Sequence, residues 1–291
     1  MPQDISHLLQ ADAGLLVVLC ALLSLFIGSF LNVVIYRLPV MMQRSWHQQC
    51  QELLEQRIET HARFNLAVPA SRCPHCGHTI GVLENIPLIS YLLQKGRCKH
   101  CATKISPRYP AIELLTAVLS GVVAWQLGYG WPLVFALLLT WALIVLTFID
   151  YDHQILPDDI TLPFLWLGLI LSLDNVFTDM HSSIIGAVAG YLSLWTVYQL
   201  FKLITGKEGM GYGDFKLLAL FGAWFGWQAL PTVILLSSLV GAVVGISLVL
   251  FRGRDRQLPI PFGPYLAAAG WIAMLWGDDI VSGYWRFMVH S

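Results

Sequence analysis

Apolar runs too long for a water-soluble core dominate this chain of 291 residues. A helix needs about 20 apolar residues to cross a bilayer, with about 17–25 as the working range. Eight segments are candidate spans, near 13–35, 111–127, 133–149, 160–173, 184–201, 215–230, 232–251 and 262–276. The fourth, sixth and eighth are short, so a helix pair there is open to being mis-split. Turn chemistry fills the gaps: Gly128-Tyr129-Gly130, Leu156-Pro157, Leu230-Pro231 and the run from Pro259 to Pro264. Only 12% of residues are charged and mean hydropathy is +0.65, where a soluble domain carries about 25% charged residues. That excludes a disordered chain, a basic nucleic-acid-binding domain and an ordinary soluble globule. The expected class is an all-α polytopic membrane protein of about eight transmembrane helices with one polar cytoplasmic loop domain. Its expected parts are a first span (1–36), the polar insert (37–109) and a membrane core (110–291).

Charge placement sets the expected orientation. Cytoplasmic loops collect Lys and Arg. Residues before the first span hold Asp4 and Asp12 but no basic residue, which also argues against a cleaved signal peptide. With the N-terminus outside and eight spans alternating, ten basic residues from Arg37 to Arg108 fall inside. Lys202, Lys207 and Lys216 join them, as do Arg252, Arg254 and Arg256, so that of the 17 basic residues only Arg286 is left outside. The acidic loop 174–181 falls on the outer side.

The insert carries Cys73-Pro74-His75-Cys76-Gly77 and Cys98-Lys99-His100-Cys101. Two C-x2-C knuckles offer four thiolates to a tetrahedral Zn²⁺, and four sulfur ligands leave no position open for water, so the metal is structural. In a cytoplasmic loop thiols stay reduced, which makes zinc a better reading than two disulfides. His75, His78 and His100 crowd the same stretch as substitute ligands. Cys20, in an apolar span, and Cys50, in the polar helical-looking stretch 43–64, read as free thiols.

Carboxylates at membrane depth are costly and are functional candidates by default. Two stretches hold them at the expected inner mouths of spans: Asp150-Tyr151-Asp152 through Leu156-Pro157-Asp158-Asp159, and Gly209-Met210-Gly211-Tyr212-Gly213-Asp214. Asp158 and Asp159 follow a proline and precede an apolar run, as helix caps do. Asp152 reads as a solvated loop carboxylate. Asp150 closes an apolar run at a helix C-terminus, where the dipole disfavours an anion. Asp214 follows alternating glycines that permit close backbone approach; on its own it also reads as an N-cap. Together, two inner-face aspartates on separate helices supply the pair needed for aspartyl proteolysis. One deprotonates water, and the other, protonated, polarises the scissile carbonyl. Glu113, one turn inside the second span, either pairs with Arg108 or faces the bundle interior.

These residues resemble the type IV prepilin peptidases. The resemblance is carried by Gly211-Tyr212-Gly213-Asp214, by Asp150 ahead of Leu156-Pro157-Asp158, by the two C-x2-C pairs, and by Ile260-Pro261-Phe262-Gly263-Pro264. It covers nearly the whole chain, starting from Gly28-Ser29-Phe30-Leu31-Asn32-Val33-Val34. It implies a bacterial inner-membrane enzyme that cleaves the basic leader from type IV prepilins and type II secretion pseudopilins at the cytoplasmic face. It further implies N-methylation of the new terminal residue with S-adenosylmethionine. The implied catalytic residues are Asp150 and Asp214; the implied metal ligands are Cys73, Cys76, Cys98 and Cys101. The methyltransferase rests on the resemblance alone, because no Gly-rich nucleotide fingerprint is present; the insert, around Gly96 and Arg97, is its expected place. The expected partners are pilin-type substrates and membrane lipid, not nucleic acid. Other readings stay open: a GxGD protease that cuts within membrane helices, a leader peptidase lacking methylation, and a zinc-stabilised transporter or scaffold with the aspartates as a proton relay. A zinc metalloprotease would need the HExxH that the sequence lacks.

Overall fold

The computed structural model describes residues 10, 12–56, 63–252 and 261–290. Asp4, Arg57, Arg254, Arg256 and Ile260, which entered the charge and motif readings, lie outside them. The described residues form helices without strands, apart from two isolated bridges in the insert. The chain divides into two compact units, residues 1–129 and 130–291.

The first unit is built on two antiparallel helices, α1 (Ala13–Leu53) and α3 (Arg108–Leu127). Small residues set their approach. A Cβ on Gly28 would fall 2.8 Å from the Glu113 Cα, and one on Gly121 would meet Val17 and Ala21. Asn32 fixes the register by donating to the Tyr109 carbonyl at 3.1 Å. The helix that carries the first span therefore does not stop at residue 35. It runs on as one helix of 41 residues, about 61 Å long, with Pro39 inside it. Buried Arg37, just past the register point, donates to the carbonyls of Asn65, Leu66 and Pro69 at 2.9, 3.3 and 2.6 Å, which anchors the start of the insert. A single 3-10 turn (Val82–Asn85) and the short α2 (Ile89–Leu93) complete this unit.

Among the described residues the second unit holds six α-helices in the order expected from the apolar runs: α4 (Trp131–His153), α5 (Asp158–Leu171), α6 (Met180–Thr205), α7 (Tyr212–Phe225), α8 (Leu230–Arg252) and α9 (Gly263–His290). No helix pair was mis-split. The axis of this unit is α7, whose apolar residues point all round the helix and are almost all buried, as a bundle core requires. Close approach again comes from missing side chains. Gly186 and Gly222 face each other backbone to backbone, Gly190 lies against Leu218, and the Ser183 hydroxyl donates to the Ala223 carbonyl at 2.5 Å. On the other flank the Trp224 indole fills the space over Gly168 and donates to the Phe164 carbonyl at 2.7 Å. Across α4 and α9, Trp271 Nε1 donates to Thr140 Oγ1 at 3.1 Å.

Among the described residues, five helical segments are long and apolar enough to cross a membrane: Ala13–Leu53, Arg108–Leu127, Trp131–His153, Met180–Thr205 and Trp227–Ser247. The chain is a membrane protein of all-α class. With 14 residues each, α5 and α7 are about 21 Å long, short of the roughly 30 Å hydrocarbon layer.

Candidate functional site

The second unit brings Asp150 and Asp214 together although 64 residues separate them. Asp150 lies in the last turn of α4, where Gln154, in left-handed conformation, caps the helix by donating to the Asp150 carbonyl at 2.9 Å. Asp214 is the third residue of α7, whose N-cap is Gly211; it is not itself the cap. Both are buried, at 6% and 7% exposure, and the Asp150 carboxylate lies within electrostatic reach of Asp214.

Two glycines and one leucine set this meeting point. Leu156, in the link from α4 to α5, packs where a Gly213 Cβ would stand, 2.8 Å from its own Cβ. The same leucine reaches to 3.2 Å from where a Gly263 Cβ would stand. Gly263 opens α9 and donates its backbone N–H to Asp150 Oδ2 at 3.0 Å. The first N–H groups of a helix have no partner within it, and they carry the positive end of its dipole. The unfavourable end of α4 that Asp150 occupies is thus offset by the favourable end of α9. Sequence reading named the Pro261-Phe262-Gly263-Pro264 stretch but gave it no task. Its only local signal was Gly-Pro punctuation ahead of an apolar run.

Asp158 and Asp159 occupy the first turn of α5, but the N-cap position belongs to Pro157 and no side chain caps it. The capping expectation for this pair is therefore corrected. Asp158 instead takes Lys216 through both carboxylate oxygens, each at 2.7 Å, tying the start of α5 to the first turns of α7.

In the first unit the four expected thiols converge. Cys73, Cys76, Cys98 and Cys101 place all their Sγ atoms within 4.8 Å of one another, with Cys73–Cys101 at 3.8 Å and Cys76–Cys98 at 4.0 Å. A disulfide needs about 2.05 Å. A tetrahedron of sulfurs around Zn²⁺ at about 2.3 Å has edges of about 3.8 Å, so this cluster can hold a metal. The two knuckles repeat each other. Cys73 N–H bonds the His78 carbonyl at 2.8 Å and Gly77 N–H bonds Cys73 at 3.0 Å. Cys98 N–H bonds Thr103 and Ala102 N–H bonds Cys98, both at 2.9 Å. Gly77 and Ala102 both take left-handed conformations, φ 71° and 55°. Hydrogen bonding with the Thr103 hydroxyl and backbone pulls the Cys101 thiol down to about 6, whereas Cys76 in the same cluster is pushed up to about 12. Two of the three histidines are engaged with each other and with an acid: His78 pairs with Glu84 at 3.3 Å and stacks on His100. Cys20 and Cys50 stand apart from the cluster as free thiols.

Glu113 is buried between α1 and α3, and its Oε2 accepts the Leu88 N–H at 2.9 Å. The insert also carries an open cavity of about 420 Å³ lined by Tyr91, Lys95, Gly96, Arg97, Lys104, Ile105, Ser106 and Pro107.

Known proteins resemble this chain in sequence. Residues 22–127 match the bacterial peptidase A24 N-terminal domain, and residues 137–246 match the type IV leader peptidase family. Several curated relatives carry the name prepilin leader peptidase/N-methyltransferase. The Stutzerimonas stutzeri protein is 58% identical, with 95% of this chain and 96% of that protein covered. The Pseudomonas aeruginosa protein is 56% identical over the same shares, and that of Legionella pneumophila is 48% identical over 91% and 93%. No solved structure matches the chain. On both family matches and on relatives matched over nearly their whole length, the chain belongs to the type IV leader peptidase family.

Proposed function

We propose that this chain is a membrane aspartic endopeptidase that cleaves the leader from type IV prepilins and type II secretion pseudopilins, then N-methylates the new terminal residue. The observation that carries this is the burial of Asp150 and Asp214 together over Leu156, from helices 64 residues apart, in a chain of this family. Asp150, which accepts an N–H at the start of α9, is the carboxylate that takes a proton from water. Asp214 carries the proton shared by the pair and donates it toward the scissile carbonyl oxygen. The tetrahedral intermediate then collapses as a proton passes to the leaving nitrogen.

The functional parts we assign are 1–36 as the first span, 37–109 as the four-cysteine insert and 110–291 as the protease core. Cys73, Cys76, Cys98 and Cys101 hold a structural Zn²⁺ in this reading. S-adenosylmethionine supplies an electrophilic methyl group when bound, and we place its site in the insert, around Gly96 and Arg97. The basic-residue pattern supports eight spans with both termini outside and the acids on the cytoplasmic side of the bacterial inner membrane.

The test uses purified protein with a prepilin substrate. Wild type should release the leader and methylate the product. Asp150→Asn and Asp214→Asn should fail to cleave yet still methylate a pilin supplied already cleaved. Robust cleavage by Asp214→Asn would overturn the two-aspartate mechanism. Loss of methylation in a folded Asp150→Asn protein would show that both reactions use one pocket.

A further inference from the structure

We propose that residues 82–95 of the insert do not stand in the cytoplasm but lie in the phospholipid leaflet beside α3, held there by Glu113. Four large aliphatic side chains in this stretch are bare: Val82 at 90%, Leu83 at 80%, Leu92 at 72% and Leu93 at 79% exposure. The 3-10 turn that carries the first two packs against α2, which carries the others. Such exposure in so short a stretch is a patch that needs a cover.

The depth of the patch follows from one hydrogen bond. Glu113 lies five residues into α3, so it sits about 7.5 Å along the helix from its first residue. Its Oε2 accepts the N–H of Leu88, which precedes α2 and takes a left-handed conformation, φ 57°. The start of α2 is thereby fixed alongside a membrane-spanning helix, one to two turns inside its end. An interfacial helix buries its apolar face about 5–10 Å into the headgroup and acyl boundary. The two depths agree.

The charges fall where phosphates lie. Lys95, Arg97 and Lys104 line the open cavity that ends at Ser106 and Pro107, immediately before α3. They therefore gather near the helix's first residue, while the Leu88 N–H just ahead of α2 is held about 7.5 Å further along the helix. This order suits an anionic leaflet, whose headgroups attract basic side chains over a Debye length. The cover is therefore anionic phospholipid. The inference needs α3 to be a span and does not depend on the catalytic reading.

The experiment places a diazirine amino acid separately at Leu83 and at Leu93 in the full chain, reconstituted in vesicles of phosphatidylethanolamine and phosphatidylglycerol. Gln49 is the control; it is exposed and, along α1, about 25 Å beyond the register point at Asn32. Zinc content checks that each variant is folded, and using two positions guards against one that is not. After illumination, lipid adducts at 83 and 93 should exceed those at 49 by about tenfold. Lys95→Gln with Lys104→Gln should lower the yield at 93 several-fold in these vesicles but not in phosphatidylcholine alone. Yields at 83 and 93 no greater than at 49 would overturn the proposal. So would adducts that move from lipid to prepilin when substrate is added, which would make the patch a substrate-docking surface.

Discussion

Replacing Gly263 by alanine tests the active-site geometry more closely than removing an acid does. The backbone of Gly263 has an ordinary conformation, so alanine brings no φ penalty; what it brings is a methyl group. That methyl would stand 2.6 Å from Asp150 Oδ2, 3.0 Å from its Cγ and 3.2 Å from Leu156 Cδ2. Ordinary contact begins at 3.4 Å, so the carboxylate must retreat by about 0.8 Å. The N–H···O bond of 3.0 Å then opens to about 3.8 Å, outside the hydrogen-bonding range. A hydrogen bond to a charged group is worth about 1.5–3 kcal/mol, which corresponds to about 10- to 150-fold in rate. Misplacing a catalytic group by about 1 Å costs on the order of 10²-fold. Both routes give a loss near 10²-fold in kcat for leader cleavage. The assay follows prepilin shortening with time on purified protein at saturating substrate. Methylation of a pre-cleaved pilin should stay near wild type. Gly277→Ala, on the same helix with nothing within 4 Å of its Cβ, should cleave normally. Wild-type kcat in Gly263→Ala would refute the role given to the start of α9.

Asp150→Asn and Asp214→Asn should each abolish cleavage, and the double variant should be no worse than either, because residues that act as a unit are not additive; a stepwise loss in kcat would contradict a shared proton. Cys98→Ser should release zinc and loosen the insert, measured as metal per chain and as faster proteolysis within 37–109; wild-type metal content in that variant would reject the ligand set. Asp158→Asn removes half of a partly exposed ion pair with Lys216, so its stability cost should stay below about 1 kcal/mol, read from a denaturant titration in detergent. A topology reporter joined after Ser291 should report the outer side; a cytoplasmic signal would break the eight-span order.

The two acids and the four cysteines were legible because each announces itself locally. A carboxylate at the end of an apolar run and a C-x2-C knuckle need no distant partner to be noticed. Gly263 was not, because its task is a backbone hydrogen bond to a residue 113 positions away. Asp158 was misread for a similar reason. Its partner Lys216 lies 58 residues on, and a local pattern pointed to capping. The extent of α1 was hidden by composition: residues 36–53 are polar and contain Pro39, yet the helix continues through them to Leu53. The order of the helices was legible even for the short ones. Burial by neighbours lets a helix of 14 residues such as α7 keep an apolar pattern all round. Glu113 could not be assigned, since its partner is a main-chain N–H in the insert, which no side-chain pattern encodes.

The contact of α6 with α7 leaves little room for adjustment. Where leucines interdigitate, a change of rotamer absorbs a small displacement. Gly186 on Gly222 and Gly190 on Leu218 have peptide planes at the contact and nothing that can rotate out of the way. Asp214 rides on that rigid rail, two turns from the first of these contacts. A substrate is thus brought to a fixed anvil, backed by Leu156, whose buried side chain bears on both Gly213 and Gly263.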